Sequence, residues 1–202
     1  MKHPEQAAGR NRSRWKGQGD EWETPPEFFC VLNSEFGFTL DPCATATTAK
    51  VERYFTTVED GLTQSWAGET VFMNPPYGRA SVAKWMQKAA DEVRNGAVVV
   101  CLVPAATDTE WWHQIAASGS VRYIRGRLPF RVAGGKWNSP FSPVVVIVLG
   151  REDETRVSYE VTQRRGVPTV ARIAHASPSV LRASPPSPGV SRVCGSCGAK
   201  VD

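Results

Sequence analysis

TVFMNPPYGRA, residues 70–80, runs from a β-prone segment into two consecutive prolines and then into a helical pattern. An Asn-Pro step marks a turn, and a residue before proline is pushed towards extended backbone. Asn74-Pro75-Pro76-Tyr77 therefore neither continues a helix nor sits inside a central strand. The stretch reads as strand, rigid loop, helix: TVFMN ends at the loop, and RASVAKWMQKAADEVRNG, residues 79–96, is an amphipathic helix closed by Asn95-Gly96.

The same alternation extends in both directions. Downstream, AVVVCLVPA (97–105) is a continuous apolar run, the pattern of a strand buried on both faces of a parallel sheet. DTEWWHQIAASG (108–119) is a helix capped by Asp108 or Thr109, SVRYIRG (120–126) a strand, and FSPVVVIVLG (141–150) a last apolar strand. Upstream, Thr24 before Pro25 and Pro26 is an N-cap signal with Gly37 as the stop, followed by short strands in FTLDPCA (38–44) and ERYFTT (52–57). Strands alternating with helices predict a doubly wound, mostly parallel α/β sheet. Ligands of such sheets bind at the carboxyl ends of strands, where Asp41 and Asn74 both fall.

The 202 residues suffice for one domain with a tail, and a net charge of +4 permits a polyanionic partner without requiring one. The apolar runs fall short of the ~18 residues of a membrane span, and MKHPEQAAGRNRSRWKGQGD has no apolar signal-peptide core. Five irregularly spaced cysteines do not suggest a disulfide framework, so a reducing cytosol is expected. The expected organisation is a mobile basic arm over 1–20 and a folded domain over 21–150. A Ser/Pro-rich linker with little fixed structure follows over 151–192, then a CxxC-containing C-terminus over 193–202.

In the Asn-Pro-Pro-Tyr loop, Asn74 offers a side-chain carbonyl, Pro75 a backbone carbonyl on a stiffened chain, and Tyr77 an aromatic face, with Pro76 holding the bend. Two acceptors beside a stacking platform suit a planar group bearing an NH2. Accepting both hydrogens draws the nitrogen lone pair out of conjugation and makes it nucleophilic without a strong base. A packed proline turn is the simpler explanation, but a specified four-residue match in a chain of this size has a chance on the order of 1 in 1,000.

With WETPPEFF (22–29), FTLDPCA, RYFT (53–56), NPPYG, LVPAATDTEWW (102–112) and GRLPF (126–130) in that order, residues 20–150 resemble the phage DNA N-6-adenine-methyltransferase (Dam-like) family. The resemblance implies a Rossmann-like sheet of the S-adenosylmethionine-dependent methyltransferase type, methylation of adenine N6 in double-stranded DNA, and a phage or prophage protein in the bacterial cytoplasm. It implies that Asn74, Pro75, Pro76 and Tyr77 are catalytic. It further implies that Trp22, Thr24 and Pro25 line the methionine end of the cofactor, that Asp41, Pro42, Cys43 and Ala44 form its first motif, and that Asp60 contacts its adenine amine. DPCATATT lacks the glycine-rich turn of dinucleotide sites, and Glu52 is the candidate for the ribose hydroxyls.

From Trp111 to Gly150 there is no acidic residue, while Arg122, Arg125, Arg127, Arg131 and Lys136 all fall there. The segment reads either as a phosphate-contacting hairpin around Gly134-Gly135, with Arg79 as a further contact, or as strands with solvated outer faces. Cys194 and Cys197 form half of a zinc-ribbon signature; without a second pair they read as free thiols, a shared zinc site in a dimer being the alternative, and no resident metal is expected. Two other functions fit parts of the pattern: a protein glutamine methyltransferase, which also uses Asn-Pro-Pro-Tyr, and a degenerate nucleic-acid-binding protein without turnover.

Overall fold

The computed structural model describes residues 22–131, 137–138, 142–151, 156–164, 167–175, 192–193 and 200–201. Three apolar runs build its centre: β1 (Thr70–Met73), β2 (Val98–Pro104) and β6 (Val144–Leu149). Their side chains alternate between two cores with the period of two that a pleated strand imposes. Val71, Met73, Val99, Cys101, Val145 and Ile147 face helix α2 (Arg79–Arg94), from which Val82, Trp85, Met86 and Ala89 descend. Phe72, Val100, Leu102, Val146 and Val148 face helix α1 (Pro26–Phe36) through Phe28, Phe29, Val31 and Leu32. Gly37 ends α1 in the left-handed conformation at φ 63°, and Gly96 follows α2 at φ 89°, as the turn signals predict.

The remaining elements are α3 (Glu110–Gln114), β3 (Ser120–Arg125), β4 (Phe130–Arg131), β5 (Trp137–Asn138), β7 (Arg156–Arg164), β8 (Val167–His175), β9 (Arg192–Val193) and β10 (Lys200–Val201). β4 pairs with β5 and β9 with β10; the main sheet has the order β1-β2-β6-β3-β7-β8. Among its neighbouring pairs, β1–β2 and β3–β7 are parallel, whereas β2–β6, β3–β6 and β7–β8 are antiparallel. The Rossmann-like, mostly parallel doubly wound sheet is thus corrected to a curled, mixed six-stranded half-barrel with few helices. A continuous apolar run reports burial on both faces, not strand direction. Direction follows the connections, and α2, between β1 and β2, is the helix long enough for the usual parallel crossover.

The linker expected over 151–192 is corrected over 156–175, where β7 and β8 form an antiparallel hairpin. Val157, Val161 and Val170 alternate inward with Tyr159 onto the α1 core, a short period-two pattern hidden among charged residues. Arg122 is 1% exposed and gives two hydrogen bonds to Glu35, of 3.0 and 2.7 Å, and one of 2.7 Å to the Tyr159 hydroxyl. Arg172 of β8 reaches the same carboxylate at 2.8 Å. A DNA-contacting role for Arg122 is therefore corrected: its inward place on β3 makes it the bolt joining α1, β3, β7 and β8. Trp111 and Trp112 are both buried, and no helix among the described residues is long and apolar enough to cross a membrane.

Burial pushes the Glu35 carboxyl up, but hydrogen bonds and charge from Arg122 and Arg172 outweigh it and hold it below the ordinary value. Its contribution is therefore present above the unfolded pKa and lost as pH falls through the folded one. Glu35→Gln should lower unfolding free energy by about 3–5 kcal/mol, because two guanidinium charges lose their counter-ion; urea denaturation at pH 7 measures this. Arg122→Met should likewise reduce stability while leaving the DNA affinity of the folded protein unchanged.

Candidate active site

β1 ends at Met73, and Asn74 is the first residue beyond its carboxyl end. The neighbouring segment runs parallel, with Leu40 bridged to Val71 and Asp41 to Tyr54, so Asp41 reaches the same end of the sheet. Asn74 and Asp41 line one small cleft of about 60 Å³, with Trp22, Glu23, Thr24, Cys43, Ala44, Thr45, Thr48, Lys50, Phe72 and Pro76.

The Asn74 carboxamide is held in one orientation. Its Nδ2 donates to the carbonyl of Trp22 at 2.7 Å and to the Thr24 hydroxyl at 3.0 Å. A carbonyl can only accept, so the amide nitrogen must face that side. Oδ1 is left buried and without a hydrogen-bond partner among the described residues. Thr24 is not the expected N-cap: Pro25 occupies that position, its carbonyl accepting from Phe29, while the Thr24 hydroxyl serves Asn74. Pro75 is buried.

Tyr77 donates to the Leu102 carbonyl at 3.3 Å and meets Phe130 edge-on, with centroids 5.9 Å apart. Burial, with a smaller effect from Cys43, pushes its phenol well above the ordinary value. The ring is thereby fixed between β2 and β4.

Asp41 is 4% exposed, and burial pushes its carboxyl up to about 6. The Lys50 and Cys43 backbone amides oppose that rise, the former donating to Oδ2 at 3.2 Å. Cys43 takes a hydrogen bond from the Asn74 backbone, yet burial and the charge of Asp41 push its thiol well up. Pro42 is buried beneath Gly61, where an added Cβ would stand 2.0 Å from the Pro42 carbonyl oxygen; Gly61 is the close approach that lets the loop before Trp66 seat against this motif.

The structure does not bring Asp60 or Glu52 onto the cleft lining. Asp60 is an exposed turn residue with φ 51°, its Oδ1 accepting from the Leu62 amide at 3.2 Å. Arg125 is 80% exposed beside Glu160 at 3.6 Å, and Arg127 and Arg131 are exposed. Arg79 opens α2. Lys136, the arm over 1–20, Cys194 and Cys197 lie outside the described residues. Among those described, no cluster of three or more His, Cys, Asp or Glu could hold a metal.

Sequence reading missed Glu23, Thr45, Thr48 and Lys50. Thr45 and Thr48 close a turn by exchanging hydrogen bonds, each hydroxyl accepting from the other's backbone amide at 3.2 and 2.9 Å. The threonine-rich TATT after DPCA was a signal for such a turn. Glu23 pairs with Lys50 at 3.1 Å, and its backbone exchanges hydrogen bonds with Arg131. No local pattern announces that pair, which closes across 27 positions.

The raised Asp41 carboxyl means that the folded chain holds a proton the unfolded chain has lost between about pH 4 and 6. The sign follows: stability is full below the unfolded pKa and falls as pH rises through that window. Asp41→Asn should exceed the native chain in unfolding free energy at pH 7 by about 2–3 kcal/mol, with the gap closing by pH 4. Urea denaturation across that range measures it.

The family described as DNA N-6-adenine-methyltransferase (Dam) matches residues 12–167. The chain is 29% identical over 119 residues to the DNA N-6-adenine-methyltransferase of Haemophilus phage HP1 (strain HP1c1), covering 57% of this chain and 68% of the relative. It is 35% identical over 69 residues to the putative methyltransferase YfdM of Escherichia coli (strain K12), covering 31% of this chain and 76% of that one. The match runs through the segment from Trp22 to Thr24, the cleft and Asn-Pro-Pro-Tyr, and the chain belongs to the DNA N-6-adenine-methyltransferase (Dam) family.

Proposed function

We propose that this DNA adenine methyltransferase works through the cleft between Asn74 and Asp41, with Asn74 Oδ1 receiving the adenine amine and Asp41 facing the amino-acid end of S-adenosylmethionine. The observation that carries the reading is the buried, unpartnered Oδ1 of an amide whose two N–H groups are already engaged. A buried acceptor without a donor costs about 1–3 kcal/mol, and a ligand N–H removes that cost. The lining suits the cationic amino-acid end of the cofactor, because a buried carboxyl driven up by desolvation is relieved by a cationic ligand group.

Bound there, the cofactor would supply a methyl group on a positively charged sulfur. Asn74 would hold one amine hydrogen and the Pro75 carbonyl the other, keeping the nitrogen lone pair localised. Tyr77, its hydroxyl tied to Leu102 and its ring edge against Phe130, would border the base as a fixed wall. Its fixation supports a passive role better than that of a mobile clamp. We infer that the substrate is double-stranded, so that the adenine turns out of the helix to reach the cleft. Exposed Arg125 of β3, Arg127 between the strands and Arg131 of β4 support a phosphate-facing surface there. The family match supports DNA adenine methylation over glutamine methylation.

Asn74 both accepts and anchors, so two variants separate its roles. Asn74→Ala should reduce transfer of labelled methyl groups to duplex DNA at least about 100-fold, the scale for losing one preorganised polar contact to a reacting group. Thr24→Val, which removes one anchor but keeps Oδ1, should cost less than about tenfold, the range of one neutral hydrogen bond. Equal losses in the two would reduce Asn74 to a structural tie.

A further inference from the structure

We propose that Lys50 receives the carboxylate of the cofactor's methionine moiety, exchanging Glu23 for it when the cofactor enters. This rests on the reading of the cleft as the cofactor site. A free amino-acid group carries an ammonium and a carboxylate on one carbon, and a site that holds it must satisfy both signs within a small space. The described cleft lining contains two carboxyl groups, Asp41 and Glu23, and one cation, Lys50. Asp41 and Glu23 suit the ammonium. Lys50 is the group that suits the carboxylate.

The geometry supports the pairing. The Lys50 backbone amide donates to Asp41 Oδ2 at 3.2 Å, which ties the main chain of the cation to the acid expected to meet the ammonium. That bond holds the main chain of Lys50 beside Asp41, and the Lys50 charge lies near enough to oppose the rise of the Asp41 carboxyl. Groups of both signs therefore sit within one small space, as an α-amino acid demands. The Lys50 side chain is 12% exposed, and its ammonium donates to Glu23 Oε1 at 3.1 Å. An ammonium has three donors, and a four-carbon stem lets it turn from one acceptor to another while the backbone stays in place. Glu23 stays behind because its backbone is paired to Arg131. Released from Lys50, its carboxylate becomes available to the entering cation, so the resident ion pair is replaced by two pairs of the same signs. Glu23 thereby keeps the cleft's cation from lying unpaired before the ligand arrives.

Calorimetric titration with S-adenosylmethionine and with its decarboxylated form, which lacks only the carboxylate, tests this. The native chain should bind the carboxylated form at least about tenfold more tightly, the lower range for a charge-assisted hydrogen bond. Lys50→Met keeps the aliphatic stem and should weaken the carboxylated ligand about ten- to a hundredfold, with the decarboxylated one changed less than about twofold. Equal weakening of both, or of neither, overturns the assignment. Glu23→Gln provides a second test, because freeing Lys50 should widen the preference for the carboxylated form; a narrowed or unchanged preference overturns it. Failure of the native chain to bind either ligand would instead overturn the cofactor reading itself, and this inference with it.

Discussion

The side-chain amide of Asn74 ties the end of β1 to the segment from Trp22 to Thr24. Its nitrogen is used twice, on the Trp22 carbonyl and the Thr24 hydroxyl, and this double use dictates where its oxygen lies. An asparagine at the end of a strand would ordinarily sample several rotamers and either flip state. Here the strap from Trp22 to Thr24 removes that freedom, and the prolines after Asn74 remove it from the backbone. The strap is in turn fixed by the backbone bridge between Glu23 and Arg131 and by the ion pair to Lys50. Preorganisation of one acceptor is thus spread over contacts far apart in the chain.

The sheet delivers these parts to one place. β1 and the segment through Leu40 and Asp41 run in the same direction, so Asn74 and Asp41 emerge side by side. Burial of both faces of β1, β2 and β6 makes that end of the sheet stiff, since each strand is gripped by α1 on one face and α2 on the other. The ion network of Arg122, Glu35, Arg172 and Tyr159 closes the opposite part of the sheet, where β7 and β8 have fewer apolar residues to hold them. Charge replaces hydrophobic area where the sequence is most polar.

The local grammar of the chain was readable. Gly37 and Asn95-Gly96 end their helices as positive-φ and capping rules require, and the break at Asn74 was visible in its prolines. Strand direction was not, because VVVCLVP and VVVIVL look alike whether their neighbours run with or against them. β7–β8 was missed because its inward valines are interleaved with arginine, glutamate and threonine, so composition drowned the alternation. Arg122 read as a surface cation since sequence carries no sign of Glu35 87 positions away. For the site, the motif residues Asp41 and Asn74 were legible, but the strap's grip on the amide and the Glu23–Lys50 pair depend on contacts that only folding creates.

Cys43 has a chemical consequence of its own. A thiol that lines a cleft read as the seat of an alkylating donor is a standing competitor for the alkyl group, because sulfur in its anionic form outperforms any aromatic amine as a nucleophile. Burial and the negative charge of Asp41 keep that sulfur protonated and dull. The same carboxylate that favours a cationic guest thus adds to burial in guarding the protein against marking itself, and a positive residue in place of Asp41 would remove its share while leaving that of burial.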